Sequence, residues 1–240
     1  MCGRYSLAVA AEAVRAHFDY PEQPNLAPRA NIAPRQEVAA VRQDADDGAR
    51  HFAWLRWGLI PAWAKEEAIG DRLINARSES VADKPAFRGA FRTRRCLIPA
   101  DGFYEWRNEG GRKQPYRITV AGADVFAFAG IWECWREPQS RTPVETCAIL
   151  TAEAVPTLRP IHHRMPVILD SAAYAAWLNP ATKPDALRAL LAHRPARAFD
   201  IQAVSMQLNS AANDDLSLLA PTEAGANQLE RPADRQPRLL

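Results

Sequence analysis

The sequence predicts an α+β fold, with one domain of curled, barrel-like β-sheets flanked by a few helices. Short segments rich in β-branched and aromatic residues recur along most of the 240-residue chain, whereas only four segments have helical patterning. Many short strands with few interspersed helices are typical of curled sheets or barrels. Neither a change in composition nor an internal repeat divides the chain. We therefore expect a single domain over residues 1–220 and a polar tail over 221–240.

The four predicted helices are each marked by a start signal or a break. Ser6 is placed to cap the N-terminus of the first helix, and Pro85 interrupts the second. The third helix ends before Pro180, and the fourth begins at Pro184, because proline favours the first turn of a helix. The predicted helices cover residues 7–18, 78–91, 171–179 and 184–192.

The predicted strands either alternate apolar and polar residues or form short apolar runs between turn residues. A proline-bearing loop over 21–34 precedes the first two strands, and an acidic turn over 44–48 joins them. The predicted strands cover residues 36–42, 50–57, 94–99, 103–107, 115–120, 125–132, 145–151, 165–169 and 201–208.

Composition excludes several classes of protein. The chain is 48% apolar and 24% charged, which is too apolar for a disordered protein. Its longest nearly continuous apolar run, residues 125–132, is far shorter than the roughly 20 residues that a membrane-spanning helix needs. No apolar stretch follows Met1, so we expect no signal peptide, no membrane partner and a cytoplasmic location.

The net charge of +2 conceals an uneven distribution. Residues 72–117 contain 11 basic and 5 acidic side chains, a net charge of +6, and the segments before and after each sum to −2. Of the 30 basic residues 26 are arginine, an excess that a GC-rich genome would also produce. The guanidinium group nevertheless suits phosphate, and a local basic segment predicts a polyanionic partner.

The four cysteines, Cys2, Cys96, Cys134 and Cys147, show neither a CxxC pair nor metal-ligand spacing. We therefore expect free thiols in a reducing compartment, no bound metal and no cofactor. The chain also lacks the glycine-rich loops of nucleotide-binding proteins and the GxSxG element of hydrolases.

Cys2 is the first residue that suggests chemistry. Removal of Met1 by a methionine aminopeptidase would leave an N-terminal cysteine, which carries an amine and a thiol on adjacent carbons. Their ordinary pKa values, about 8 and about 8.5, make both groups nucleophiles near neutral pH after modest tuning. An aldehyde condenses with the amine to an imine, and the thiol then closes a thiazolidine ring. The alternative is a buried cysteine that merely follows the start residue.

Three further segments contain polar side chains that could take part in chemistry. Residues 74–79, with Asn75, lie in the basic segment; residues 95–106, with Glu105, run from one predicted strand into the next; and residues 161–169 place His162 and His163 just before a strand. Each segment by itself also has a structural interpretation, such as a turn asparagine or a glutamate in a salt bridge. Adjacent histidines point in different directions, so at most one of the two is expected to act.

Taken together and in order, these segments resemble the SOS response-associated peptidase (SRAP) family along nearly the whole chain. The segments that carry the resemblance are MCGRY at 1–5, NIAP at 31–34, WGLIPAW at 57–63, INARSE at 74–79, RRCLIPADGFYEW at 94–106 and IHHRMPVIL at 161–169.

The resemblance implies a covalent, reversible thiazolidine crosslink between mature Cys2 and the ring-opened sugar of an abasic site in single-stranded DNA. Cys2 would be the nucleophile, and Asn75 would position the N-terminus and the sugar. Glu105 would serve as acid and base, and His162 would assist opening of the sugar and reversal of the crosslink. Lyase-type activity and a peptidase activity limited to removal of Met1 are also implied.

The resemblance further implies which residues contact DNA. Arg77, Arg4 and Arg164 would bind phosphates, with Thr151 at the end of a strand beside them. Trp63 and Pro34 would stack on the DNA or wedge into it. We also expect association with the nucleoid, the replication machinery as a further partner and a monomeric protein.

Three positions depart from the family pattern. Residues 151–155 read Thr-Ala-Glu-Ala-Val instead of a polar run with asparagine, and His163 follows His162 where the family has an acidic or polar residue. Near the C-terminus, the family typically has an asparagine-rich turn followed by Gly-Pro or a similar pair. Here Leu208-Asn209-Ser210 leads into Asn213 and Asp214 instead. We expect these differences to affect the shape of loops at the rim of the site.

Three alternative functions remain. Class II glutamine amidotransferases also begin Met-Cys-Gly and use the amine as a base. A thiol peptidase could combine Cys2, His162 and Glu105. A non-catalytic protein would bind single-stranded DNA without forming a bond. Ammonia release from glutamine, proteolysis or purely reversible binding would distinguish these possibilities from a crosslinking protein.

Overall fold

The computed structural model describes residues 2–44, 48–192 and 198–222 and has the predicted α+β fold, in which a closed β-barrel packs beside a second sheet. The strands are β1 Tyr5–Leu7, β2 Arg29–Ile32, β3 Glu37–Gln43, β4 Arg50–Trp57, β5 Asn75–Arg77, β6 Arg95–Ala100, β7 Gly102–Glu109, β8 Arg112–Val120, β9 Phe126–Arg136, β10 Pro143–Glu153, β11 Arg164–Pro166, β12 Ile168–Leu169 and β13 Phe199–Ala203. The α-helices are α1 Ala11–Phe18, α2 Arg88–Thr93, α3 Tyr174–Leu178 and α4 Pro184–Ala192. Short 3-10 helices span Glu67–Arg72, Ser171–Ala173, Met206–Asn209 and Leu216–Leu219.

The barrel closes through β10. Strands β4, β3, β6 and β9 pair in that order, and β10 joins β9 antiparallel on one side and β4 in parallel on the other. With 11 residues, β10 is long enough to leave the barrel, and its last residues pair with β5 and β11. Asn75, Arg77 and Thr151 are thereby carried to one end of the barrel.

The second sheet has the strand order β13-β8-β7-β1-β2. Tyr5 of β1 pairs with Phe103 of β7 and Ile32 of β2. The Tyr5 ring makes edge contacts with Trp57 and Phe128, which belong to the barrel, at 5.4 and 5.6 Å between centroids. These buried aromatic rings join the two layers and hold the N-terminal segment against the barrel.

Close packing in the barrel wall explains one glycine. A Cβ atom on Gly130 of β9 would lie 2.7 Å from Sγ of Cys96 and 2.9 Å from Cγ1 of Ile98 on β6. Only a residue without a side chain therefore permits this strand spacing.

The four cysteines are free, as expected.

The helix predicted over 7–18 is correct only from Ala11. Ser6 lies in β1 and donates to the carboxylate of Asp101 at 2.5 Å rather than capping a helix. The same carboxylate accepts the backbone N–H groups of Ala8 and Val9. Asp101 thus accepts hydrogen bonds from the segment between β1 and α1. This contact is long-range, so the local sequence does not show it.

Three other predicted elements differ from the structure. The segment 78–91 consists mostly of turns, and helix forms only in α2, after Pro85. The loop over 21–34 contains β2, because β1 supplies a pairing partner. The strand over 201–208 ends at Ala203 and is followed by a 3-10 helix that Ser205 caps.

The other predicted strands and α4 lie close to their predicted positions, whereas β5 was not predicted as a strand. The segment 165–169 forms two short strands, β11 and β12, and the helix expected from Ser171 begins as a 3-10 turn. Within the described ranges, no helix is long and apolar enough to cross a bilayer. The domain boundary at residue 220 stays a prediction, and the predicted tail lies outside the described residues from 223 onward.

Candidate active site

Cys2 and Glu105 come together because β1 and β7 pair. The backbone N–H of Tyr104 donates to the carbonyl of Arg4 at 3.0 Å, which places the next residue of β7, Glu105, beside the N-terminal segment. Cys2 is fully buried, and its thiol donates to the Arg4 carbonyl at 3.9 Å. Burial raises the pKa of this thiol well above its usual range, and the negative charge of Glu105 raises it further. The thiol is therefore neutral at physiological pH.

Asn75 reaches Cys2 from the barrel side. It is the first residue of β5, which the end of β10 holds in parallel register, with Ile149 opposite Asn75. The Nδ2 atom of Asn75 donates to the carbonyl of Cys2 at 2.8 Å. The other amide atom, Oδ1, is buried and accepts no hydrogen bond from the described part of the chain. A buried acceptor with no donor is costly, so this oxygen is suited to an amine or hydroxyl donor that arrives with substrate or with the mature N-terminus.

Glu105 is a buried carboxyl group, only 4% exposed. Burial raises its pKa to about 7. At neutral pH the group is therefore close to half protonated and can either give or take a proton.

His162 approaches Glu105 from the turn before β11. Its Nδ1 lies 3.9 Å from Oε1 of Glu105 and 3.0 Å from the backbone nitrogen of Arg164. The same Nδ1 lies 3.1 Å from the Arg164 carbonyl oxygen, so the tautomer decides whether Nδ1 accepts from the Arg164 N–H or donates to the Arg164 carbonyl. Burial lowers the pKa of His162 below its usual value, so the ring is neutral at pH 7. His163 is exposed, and its ring stacks on that of His162 at 4.4 Å between centroids.

Arg77 and Thr151 lie opposite each other where β5 pairs with β10. The Arg77 side chain is exposed, whereas Thr151 is fully buried. The guanidinium of Arg164 is also buried: it pairs with both carboxylate oxygens of Glu79, at 2.7 and 2.9 Å, and donates to the Thr151 carbonyl at 2.6 Å. Arg77 thus presents its charge to solvent, while Arg164 ties three segments together.

Trp63 lies in a turn after β4, and Pro34 lies in the turn after β2. Trp63 is 61% exposed and lines an open cavity of about 440 Å³ that also includes Ile69 and Arg72. Pro34 is half-buried in the turn between β2 and β3. Their predicted contacts with DNA stay predictions.

Arg4 directs its guanidinium into the protein. It donates to Oδ1 of Asn31 and to the carbonyl of Leu208, both at 2.9 Å. Asn31 is fully buried and was not predicted as a site residue, although it begins the NIAP segment. The available signal was an asparagine between the apolar residues Ala30 and Ile32, since a buried amide requires several partners. Among the described residues, no group of three or more His, Cys, Asp or Glu side chains is arranged to hold a metal ion.

Comparison with known proteins adds an independent result. The family model described as SOS response associated peptidase (SRAP) matches residues 1–211. The chain is 41% identical over 224 residues to the abasic site processing protein YoaM of Bacillus subtilis (strain 168), covering 91% of this chain and 97% of that one. It is 36% identical over 208 residues to the abasic site processing protein HMCES of Gallus gallus, covering 77% of this chain and 62% of the relative. A crystal structure of a Bacteroides thetaiotaomicron protein superposes with a TM-score of 0.81 at 26% identity, over 92% of this chain and all of that one.

Proposed function

The chain belongs to the SOS response associated peptidase family, and from this premise we propose that it processes abasic sites in DNA by forming a covalent bond through Cys2. The relatives at 36–41% identity are named abasic site processing proteins. The observation that carries the proposal is the position of Cys2: Asn75 holds its main chain, and its thiol lies in the electrostatic field of a carboxyl group with a pKa of about 7.

The proposed reaction joins Cys2 to the aldehyde of a ring-opened abasic sugar. The α-amine of mature Cys2 adds to the aldehyde carbon and forms a carbinolamine. Protonated Glu105 gives a proton to the departing hydroxyl, and water leaves as the imine forms. The imine keeps its N–H and is therefore positively charged. The Glu105 carboxylate then takes the thiol proton, sulfur attacks the imine carbon, and the C=N electron pair moves to nitrogen, which becomes the neutral ring amine. The product is a thiazolidine, and one water is released overall.

A carboxyl that titrates near pH 7 suits both proton transfers, because each protonation state is populated. The buried thiol would be a poor nucleophile by itself, since its raised pKa keeps it protonated. The Glu105 carboxylate can take the proton from this thiol and so convert it to the nucleophilic thiolate. The same groups run the reaction in reverse, which makes the crosslink reversible.

His162 is proposed to assist sugar opening and crosslink reversal. The neutral ring can exchange a proton with a sugar oxygen through Nε2, while the contacts of Nδ1 with the Arg164 backbone keep the ring oriented. Asn75 is proposed to hold the incoming sugar through Oδ1, the buried acceptor described above.

Single-stranded DNA is the proposed substrate. The segment 72–117, with its net charge of +6, includes Asn75, Arg77 and Glu105. Exposed Arg77 is suited to a phosphate contact, which supplies affinity without reading base sequence. Trp63 offers an exposed aromatic face on which a base can stack.

Met1 must be removed before this chemistry can occur, because the amine of Cys2 is otherwise part of a peptide bond. Met1 lies outside the described residues. We propose that the peptidase activity in the family name is limited to this step. The replication machinery as a partner, the monomeric state and the cytoplasmic, nucleoid-associated location stay predictions.

The test uses mature protein and a single-stranded oligonucleotide with one abasic site, run on a denaturing gel. Wild type should give a heat-stable shifted band, and Cys2→Ala should give none. Cys134→Ala, which removes a half-exposed cysteine outside the site, is the matched control and should crosslink. Cys2→Ser keeps the amine, so it should form only an imine that borohydride traps. A shift that denaturation abolishes would reduce the protein to a reversible binder and overturn the proposal.

A further inference from the structure

The C-terminal turn, residues 208–214, contacts the N-terminal segment that carries Cys2 and the strand β7 that carries Glu105. It begins within the 3-10 helix Met206–Asn209 and lies far along the chain from Cys2 and Glu105. Its hydrogen bonds reach Arg4, two residues after Cys2, and Trp106, the residue after Glu105.

The first link runs through Arg4. Its Nη1 donates to the Leu208 carbonyl at 2.9 Å, and its Nη2 donates to the Asn209 carbonyl at 3.4 Å. The backbone of the same residue accepts the Cys2 thiol and the Tyr104 N–H. Any shift of the C-terminal turn is therefore passed to the segment that presents Cys2.

The second link is Asn31, which fills the space between Arg4 and the C-terminal turn. Its Oδ1 accepts from Arg4, and its Nδ2 lies within hydrogen-bond distance of the carbonyls of Leu208, Ser210 and Asn213, at 3.3, 3.0 and 2.7 Å. Its backbone N–H donates to Asp214 at 2.6 Å. A fully buried amide with partners on every side fixes the geometry around it.

The third link reaches Glu105 from the other side. The indole Nε1 of Trp106 donates to Oδ1 of Asn209 at 2.7 Å. Asn209 is exposed, so this hydrogen bond adds little to the core but restrains β7 next to Glu105.

We propose that the C-terminal turn braces the reacting groups, with Arg4, Asn31 and Asn209 as positioning residues for the attack of Cys2. The proposal rests on the crosslinking function above. It gives Arg4 a role different from a phosphate contact, because its guanidinium is directed to carbonyl and amide oxygens inside the protein. A positioning residue should control the rate at saturating DNA, whereas a phosphate contact should control affinity.

The test compares Arg4→Ala with Arg4→Lys. The lysine keeps the positive charge but not the fork of donors that spans Asn31 and the C-terminal turn. Both variants should crosslink about tenfold more slowly at saturating DNA. Both should bind an undamaged single strand with unchanged affinity and salt dependence. Arg77→Ala and Arg77→Lys are the matched controls, in which affinity should fall with alanine and recover with lysine.

A second pair of variants avoids the buried residues. Trp106→Phe and Asn209→Ala each remove one partner of the exposed hydrogen bond, and the double variant removes both. If the bond acts as a unit, the double variant should be no slower than the slower single variant. Thermal unfolding of every variant verifies that the assay temperature lies below the transition.

The brace is overturned if Arg4→Lys crosslinks like wild type while Arg4→Ala loses affinity with a salt slope reduced by about 0.7, the value for one single-strand phosphate contact. Unchanged rates in the Arg4 or Asn209 variants would overturn it equally. Failure of wild type itself to crosslink the abasic oligonucleotide would instead refute the crosslinking function.

Discussion

Replacing Glu105 by glutamine should make the protein more stable and less active. Glutamine keeps the shape of the side chain but has no charge to bury. In the unfolded chain Glu105 loses its proton near its ordinary pKa of 4.5, whereas in the folded protein it holds the proton to about pH 7. Between these values the folded state binds more protons than the unfolded state, so the stability of the wild type falls as pH rises.

The size of the effect follows from the two pKa values. Each pH unit between 4.5 and about 7 removes about 1.4 kcal/mol from the wild type. The loss amounts to about 1 kcal/mol at pH 5 and about 3 kcal/mol at pH 8, above which it is constant. Glu105→Gln escapes this loss, so its advantage in unfolding free energy should grow by about 2.5 kcal/mol between pH 5 and pH 8.

Urea unfolding followed by tryptophan fluorescence at pH 5, 6, 7 and 8 measures this difference. Glu153→Gln, on an exposed residue of β10, is the matched control for the general effect of removing one negative charge. Crosslinking by Glu105→Gln should be slower by about 10²-fold, because glutamine can neither give nor take a proton. A stability difference that does not change with pH would refute the buried, titrating carboxyl, and an unchanged crosslinking rate would remove Glu105 from the mechanism.

Four further variants test other parts of the structure. Arg95→Leu should lower the unfolding free energy by about 3 kcal/mol, because the buried guanidinium donates to four carbonyls at the ends of α2 and α3; a cost under 1 kcal/mol in urea unfolding would contradict this. Gly58→Ala should be strongly destabilised, since its φ is +127° and a Cβ would lie 2.7 Å from a backbone oxygen; a wild-type melting temperature would contradict that. Asn75→Ala should crosslink about tenfold more slowly while binding undamaged DNA normally, and equal rates would exclude its hold on Cys2. His162→Ala should release the crosslink more slowly in a chase with excess unlabelled DNA, and unchanged release would reject its role.

Local sequence was sufficient to predict a helix or strand where the pattern of neighbouring side chains determines that element. The strands of the barrel and α4 lie close to their predicted ranges, because alternating burial and a starting proline are properties of neighbouring residues. The predictions were wrong where a group far away in the sequence determines the local structure. Ser6 does not cap a helix because the carboxylate of Asp101 lies beside it. Arg29–Ile32 forms a strand only because β1 offers it an edge.

The same distinction applies to the candidate site. Sequence motifs indicated Cys2, Asn75, Glu105 and His162, and family membership is confirmed. The structure adds their geometry: the contact of Asn75 with the Cys2 carbonyl and the 3.9 Å approach of His162 to Glu105 join residues that are far apart in the sequence. Asn31 was missed because its partners lie about 180 residues further along the chain.

The sequence by itself determined the α+β class, the single basic segment and the identity of the side chains that can react. These follow from residue type and spacing alone, which act locally and survive in any conformation. Only the tertiary structure decided the pKa values of those side chains and their exposure to solvent. Glu105 titrates near pH 7 and the Cys2 thiol stays neutral because the packing of the barrel against the second sheet removes both from water. Arg164 and Arg77, alike in sequence, differ because one is buried against Glu79 and the other is exposed to solvent.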